Sequence, residues 1–247
     1  MANEWYLTDV PKIMSEADLL YRRITEKAPD KTKESVTVQR IVEARKWGPS
    51  LPLYASRFEA AVRQLGCFYV PKVIVPGPAF VFPMRSANGT YPRAQTKPLE
   101  GSVLMMEGMK YRYVGDKNRF IGPNWLGNDL DTLRLIVEKR MAMCVEGAFD
   151  LLAVRLMCPG YPILSPLTKR LGKHHIAYLR ILGVNRLILM YDREQQGEEA
   201  MEQQIRQMNG IINASSATCP QKDPSMALER LNWANGLYST VSQSFEY

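Results

Sequence analysis

The segment RLILMYDREQQG, Arg186 to Gly197, runs an apolar stretch straight into two acids, Asp192 and Glu194, separated by one arginine. A short continuous apolar run bounded by polar residues predicts a strand buried on both faces. Successive residues of extended chain point to opposite sides, so Asp192 and Glu194 share a side while Arg193 turns away. Two readings of the acids stand at this point. Together they can offer oxygen ligands to one hard cation, or either can cap the helix expected near Gly197, whose positive end Glu198 and Glu199 suit.

The same grammar occurs upstream, where the apolar run Met141 to Val145 is followed by Glu146-Gly147. A glycine directly after the acid points to a close backbone approach. Around these two runs the pattern alternates: helices are predicted over Leu130 to Lys139, Phe149 to Met157 and Lys173 to Leu182, with strands at Met141 to Val145, Pro162 to Leu164 and Arg186 to Tyr191. Alternation of this kind predicts a parallel sheet with both faces covered. Ligands of such sheets bind beyond the carboxyl ends of the strands, which is where Glu146, Asp192 and Glu194 fall.

The preceding residues read differently. Helices are predicted over about Ser15 to Lys27, Val38 to Lys46 and, from a capping box at Ser56-Arg57-Phe58-Glu59, to Gly66, with a polar linker at Pro29 to Lys33. Short β-like runs follow at Lys72 to Val75, Ala79 to Phe82, Ser102 to Met105 and Tyr111 to Val114, separated by Gly, Pro and Asn turns. Three units result: a helical region over 1–65, a sheet-rich subdomain over 66–128, and an α/β domain with a C-terminal helix over 129–247.

The net charge of +7 sits entirely in the first half, since residues 1–125 hold 19 Lys/Arg against 12 Asp/Glu. Arg85, Lys97, Lys110 and Arg112 belong to this excess and are interleaved with Tyr91, Tyr111, Tyr113 and Phe120. Bases that neutralise phosphate beside aromatics that stack on bases suit a nucleic-acid groove; an ordinary solvated basic surface is the alternative. Four scattered cysteines without a CxxC pair, and only two histidines, the neighbours His174 and His175, predict neither a structural zinc site nor a disulfide framework. Cys144 reads as a small buried hydrophobe, and the histidines as helix residues, one packed and one solvated. With no apolar run near the ~20 residues of a membrane span and no secretion-signal layout at the N-terminus, a cytoplasmic location is expected.

Val145-Glu146-Gly147-Ala148-Phe149-Asp150, followed some way on by Tyr191-Asp192-Arg193-Glu194-Gln195-Gln196-Gly197, resembles the TOPRIM domain shared by bacterial-type primases, topoisomerases, nucleases and recombination proteins. The primase branch is resembled more closely. Phe82-Pro83-Met84-Arg85-Ser86-Ala87-Asn88-Gly89, then Lys97, then Met109-Lys110-Tyr111, keep that branch's motif order, and Leu164 to Thr168 with His175-Ile176, and Lys222-Asp223-Pro224-Ser225, fall where it has further motifs.

The resemblance implies an α/β TOPRIM-type parallel sheet with flanking helices, preceded by a small basic α+β subdomain and N-terminal helices. It also implies that Glu146, Asp192 and Glu194 bind catalytic Mg²⁺ or Mn²⁺ with Asp150 and Asp223 nearby, and that Arg85, Lys97 and Lys110, with Arg112 beside them, guide template, primer or nucleotide. The implied activity is RNA primer synthesis from NTPs on single-stranded DNA, with a TOPRIM nuclease or a non-catalytic DNA-binding adaptor as alternatives. Glu194 stands where the family has a second Asp, Ser225 where it has a further Asp, and Lys97 lacks the family's flanking glycines. Asp223 can equally cap a helix with Pro224 in its first turn. The family's zinc-ribbon module is not seen in these residues, so a replicative helicase or a separate zinc-bearing subunit is the expected partner, and a phage or mobile element the expected source.

Overall fold

The computed structural model describes residues 41–42, 45–70, 79–85, 93–98, 112–114 and 125–246. A 3-10 turn, Gly48–Ser50, leads into α1 (Leu51–Leu65). The capping box expected at Ser56 does not form, because the helix has already begun at Leu51 with Pro52 in its first turn, where a missing N–H breaks no helical bond. The helix ends at Gly66 as expected, and Tyr54, Phe58, Ala61, Val62 and Leu65 form its buried stripe. Ile41, Val42 and Arg45 of the expected preceding helix are helical. The helix expected at Ser15 to Lys27, the linker at Pro29 to Lys33 and the strands at Lys72 to Val75 and Ser102 to Met105 lie outside the described residues.

Strands β1 (Phe68–Val70), β2 (Ala79–Met84), β3 (Arg93–Pro98) and β4 (Arg112–Val114) form an antiparallel sheet in that order. β2 is buried throughout and is the predicted run extended by two residues. β3, RAQTKP, carries no apolar alternation and was not predicted; Ala94, Gln95 and Thr96 are nevertheless buried, because β3 lies between two other strands.

The remaining elements are α2 (Leu130–Lys139), β5 (Met141–Val145), α3 (Ala148–Met157), β6 (Ile163–Leu164), α4 (Lys173–Ile181), β7 (Arg186–Met190), α5 (Gln195–Met208), β8 (Asn213–Ser216), α6 (Pro224–Ala227) and α7 (Leu231–Glu246). The predicted helices and strands of this half appear within a residue or two of their expected ends. β5 to β8 make a parallel sheet of order β6-β5-β7-β8. Its pleat divides the core. Met143, Val145, Ile188 and Met190 face one cluster, with α1, α3 and α7, whereas Ala142, Cys144, Leu187 and Leu189 face the other, with Ile136, Tyr178 and Met208. Among the described residues, no helix is long and apolar enough to cross a membrane.

Two isolated bridges join the sheets: Arg85 pairs with Trp125 and Leu126 with Ser165, so the end of β2 is stitched to the residue following β6. Phe149, in the first turn of α3, fills the space between the sheets, with the rings of Phe82, Phe80 and Trp47 at 5.2, 6.1 and 6.3 Å, all edge-on. Because α3 is buried on every side, its one basic residue must be paired. Arg155 meets the Asp129 carboxylate at 2.6 Å and donates to Gly127 O at 2.6 Å, and it also donates to Thr132 Oγ1. Asp129 simultaneously caps α2 by accepting from Thr132 N at 3.0 Å. Removing the guanidinium leaves the Asp129 carboxylate without its counter-charge and the Gly127 carbonyl without this donor. Arg155→Ala should therefore lose about 3 kcal/mol of unfolding free energy in urea titrations, and a loss below about 1 kcal/mol would contradict this assignment.

Candidate metal centre

The carboxyl edge of the parallel sheet is built by strand register. Val145 pairs with Met190, so the residues that follow, Glu146 on one strand and Tyr191-Asp192 on the other, leave the sheet side by side. Ser165, just past β6, donates its hydroxyl to Glu146 O at 3.0 Å and accepts from Leu167 N at 3.1 Å, holding the turn after β5 against the turn after β6.

Gly147 stands at the N-cap of α3, and its N–H donates to Asp150 Oδ2 at 3.0 Å. A Cβ at position 147 would lie 2.5 Å from that oxygen, so only glycine lets the carboxylate fold back over the helix start. Asp150 Oδ1 accepts from Ser225 N at 3.2 Å, which draws α6 onto α3. On the far side, Arg193 N donates to Lys222 O at 2.6 Å, tying the turn after β7 to the turn before α6. A side chain on Gly197 would run into the backbone carbonyl of Asp192, so glycine is also required where α5 begins. The result is a triad: Asp150, Asp192 and Asp223 each offer an oxygen within 4.8 Å of the others.

The electrostatics of this triad are unfavourable without a cation. Burial, then the charges of Asp223 and Asp192, raise the Asp150 carboxyl above its ordinary range. Asp192 is raised by burial and then by Asp223. Glu146 is pushed up to about 7 by burial first and by Asp192 second, with Lys169 opposing. Glu146 Oε2 and Asp192 Oδ1 are buried and have no hydrogen-bond partner. Orphaned carboxylate oxygens beside a repelling triad fit a hard divalent cation, which takes oxygen ligands, and not a thiolate-binding metal. Glu146, Asp150, Asp192 and Asp223 would hold it.

Of the residues expected here, Glu194 is placed differently from its neighbours. It occupies the N-cap position of α5 but makes no capping bond, and its Oε1 lies 2.6 Å from Lys222 Nζ. Asp223 does cap α6, accepting from Met226 N at 2.7 Å with Pro224 in the first turn, and it also stands in the triad. Its two sequence readings therefore coexist. Arg85 exchanges both backbone hydrogen bonds with Trp125 and reaches Asn128 O at 3.4 Å. Lys97 is half-buried in β3, opposite Phe80 on β2. Arg112 opens β4 opposite Thr96, and Lys110 lies outside the described residues. His175 packs edge-on to Trp125 at 4.7 Å while His174 is exposed. Sequence reasoning missed Lys169, 3.9 Å from Glu146, and the acid-pairing role of Lys222. The adjacency of Lys222 to Asp223 was a signal; nothing local marked Lys169.

The chain carries a Toprim-like domain: residues 143–228 match the family so described. Its fold is that of primase catalytic cores. The RNA polymerase domain of Mycobacterium tuberculosis primase DnaG superposes with a TM-score of 0.68 at 16% identity, covering 95% of this chain and 84% of that one. A DnaG primase catalytic domain bound to ssDNA gives 0.60 at 16% identity, with 94% and 79% covered. The primase fragment of the bacteriophage T7 primase-helicase gives 0.53 at 16% identity, with 75% and 69% covered. No curated protein matches the sequence.

The raised carboxyls set the sign of a pH effect. Between its ordinary value of 4.5 and about 7, Glu146 holds a proton in the folded chain that the unfolded chain has lost, and Asp150 and Asp192 act in the same direction. The stability these three groups contribute to the metal-free protein is therefore fully present below about pH 4 and is lost as pH rises through about 7. In EDTA the thermal midpoint should be lower at about pH 8 than at about pH 5, with Glu146→Gln flattening the change. A midpoint that rises with pH, or an unchanged slope in the variant, would contradict it.

Proposed function

We propose that this chain catalyses divalent-cation-dependent nucleotidyl transfer, joining nucleoside triphosphates into short RNA primers on single-stranded DNA. The observation that carries the reading is the placement of the Asp150, Asp192 and Asp223 triad at a sheet edge onto which the Arg85-bearing hairpin is stitched through the Arg85–Trp125 and Leu126–Ser165 bridges. An anionic pocket for metal and a basic sheet thereby share one edge. The likeness to cores solved with single- and double-stranded DNA supports the same reading.

Bound Mg²⁺ or Mn²⁺ would supply Lewis acidity at the triphosphate and lower the pKa of the attacking 3′ hydroxyl. The chain's own contribution is positional. Gly147 and Ser225 fix the Asp150 carboxylate, Ser165 holds the Glu146 turn, and the Arg193–Lys222 backbone bond keeps Asp223 beside Asp192. Lys169 and Lys222 stand on the rim, partly exposed, where they can take up triphosphate charge as it enters. Glu194 stands on the same rim, paired with Lys222, and would be available to hold the cation if that pairing opened. Arg85 and Lys97, with Lys110 and Arg112, track the template backbone, and a helicase or zinc-bearing subunit supplies template choice. No protein nucleophile is needed.

The test is template-dependent synthesis of labelled oligoribonucleotides from NTPs on single-stranded DNA with Mg²⁺ or Mn²⁺. The parent should make them, Asp192→Ala should lose at least about a thousandfold in rate, and Lys97→Glu should weaken template binding with a salt slope lower by about one. Strand cleavage without NTPs, or no product from the parent, would overturn the proposal.

A further inference from the structure

Ser225 stands 180 residues from Arg45, yet the two are locked together. The Arg45 guanidinium donates from Nε and Nη2 to Ser225 Oγ, the Nε bond being 2.8 Å, and it lies over the Phe149 ring at 5.0 Å. Ser225 is wholly buried; its N–H goes to Asp150 and its carbonyl accepts from Trp47 Nε1 at 2.8 Å. A guanidinium, which keeps its charge at any working pH, is thus anchored one residue away from the most buried acid of the pocket.

The charges around the pocket can be paired off. Five carboxylates meet at this edge: Glu146, Asp150, Asp192, Glu194 and Asp223. Among the described residues, the cations acting on them are Lys169 on Glu146 and Asp192, Lys222 on Glu194, Asp192 and Asp223, and Arg45 on Asp150. Among the described residues, three cations against five carboxylates leave, once all five are ionised, the charge of one divalent ion. Lys169 and Lys222 are 39% and 49% exposed and can swing away; Arg45 is held by two hydrogen bonds and an aromatic ring. A second metal ion approaching Asp150 from the side of Ser225 would meet a fixed positive charge and a hydroxyl already engaged by it, where a carboxylate would have given it a ligand.

We propose that Arg45 is the resident counter-cation of the Asp150 end of the pocket, and that the pocket consequently takes one divalent cation and not two. The inference rests on the metal reading of the site. It makes Arg45 a positioning residue for the acids and assigns to Ser225 the role of its anchor.

Titration of the full chain with Mn²⁺, followed by loss of the aqueous Mn²⁺ EPR signal, tests it without turnover. The parent should bind one Mn²⁺ per chain at a site abolished in Asp192→Asn. Arg45→Met should gain a second Mn²⁺, or bind the first on the order of tenfold more tightly, because a nearby like charge has gone; Arg45→Lys should keep the parent stoichiometry. Two Mn²⁺ per parent chain, both lost in Asp192→Asn, would overturn the inference, and that count needs no folded Arg45 variant. An Arg45→Met curve superimposable on the parent's would overturn it while leaving the metal reading standing. Uptake of no Mn²⁺ by the parent would overturn both.

Discussion

The carboxylate of Asp150 is the constraint from which the carboxyl edge of the parallel sheet is built. It is buried at the start of α3, and its two oxygens accept backbone N–H groups from Gly147 on one side and Ser225 on the other. The first bond closes the turn that follows β5; the second carries the chain segment before α7 back onto that turn. Without the acid, two buried N–H groups would lose their acceptor and α6 its tether, a cost of about 1–3 kcal/mol for each orphaned group. Keeping the acid has its own cost, since burial and the neighbouring Asp223 and Asp192 disfavour its charge. The fold concentrates negative charge where a cation can offset it.

One residue earlier in the same turn, Phe149 joins the Toprim-like domain to the antiparallel sheet through Phe82 and Phe80, and to the segment before α1 through Trp47. The α3 turn therefore links three things: the parallel sheet, the basic hairpin and the acids. Arg57 adds to this by donating to Leu156 O and Met157 O at the other end of α3, where helix carbonyls lack internal partners. A helix buried on all sides, with each end tied to the N-terminal region, gives the site a rigid floor.

The parts legible in the sequence were those where a local pattern dictates structure. β5 and β7 were readable because parallel strands covered on both faces are continuously apolar, and the placement of Glu146 and Asp192 because ligands of such sheets bind beyond the carboxyl ends of the strands, although a helix cap was an equally open reading of Asp192. β3 and β8 were not readable. RAQTKP and NASS are polar runs recruited as strands by pairing with a neighbour, and pairing leaves no periodicity. Ser56 was read as a cap because its local motif is good, but Pro52 and the turn before it start the helix sooner. The contact of Arg45 with Ser225 and the approach of Lys169 to Glu146 depend on tertiary folding alone. Glu194 lies between these cases: its position was legible, but its pairing with Lys222 is set by where the α6 turn docks.

The central claim is that these acids form one cation pocket at the sheet edge, and a crystal soaked in Mn²⁺ and measured at the manganese absorption edge tests it most directly. The account predicts an anomalous peak among the carboxylates of Asp150, Asp192 and Asp223, within reach of Glu146. A peak elsewhere on the chain, or none in a crystal whose triad is ordered and ionised, would contradict it.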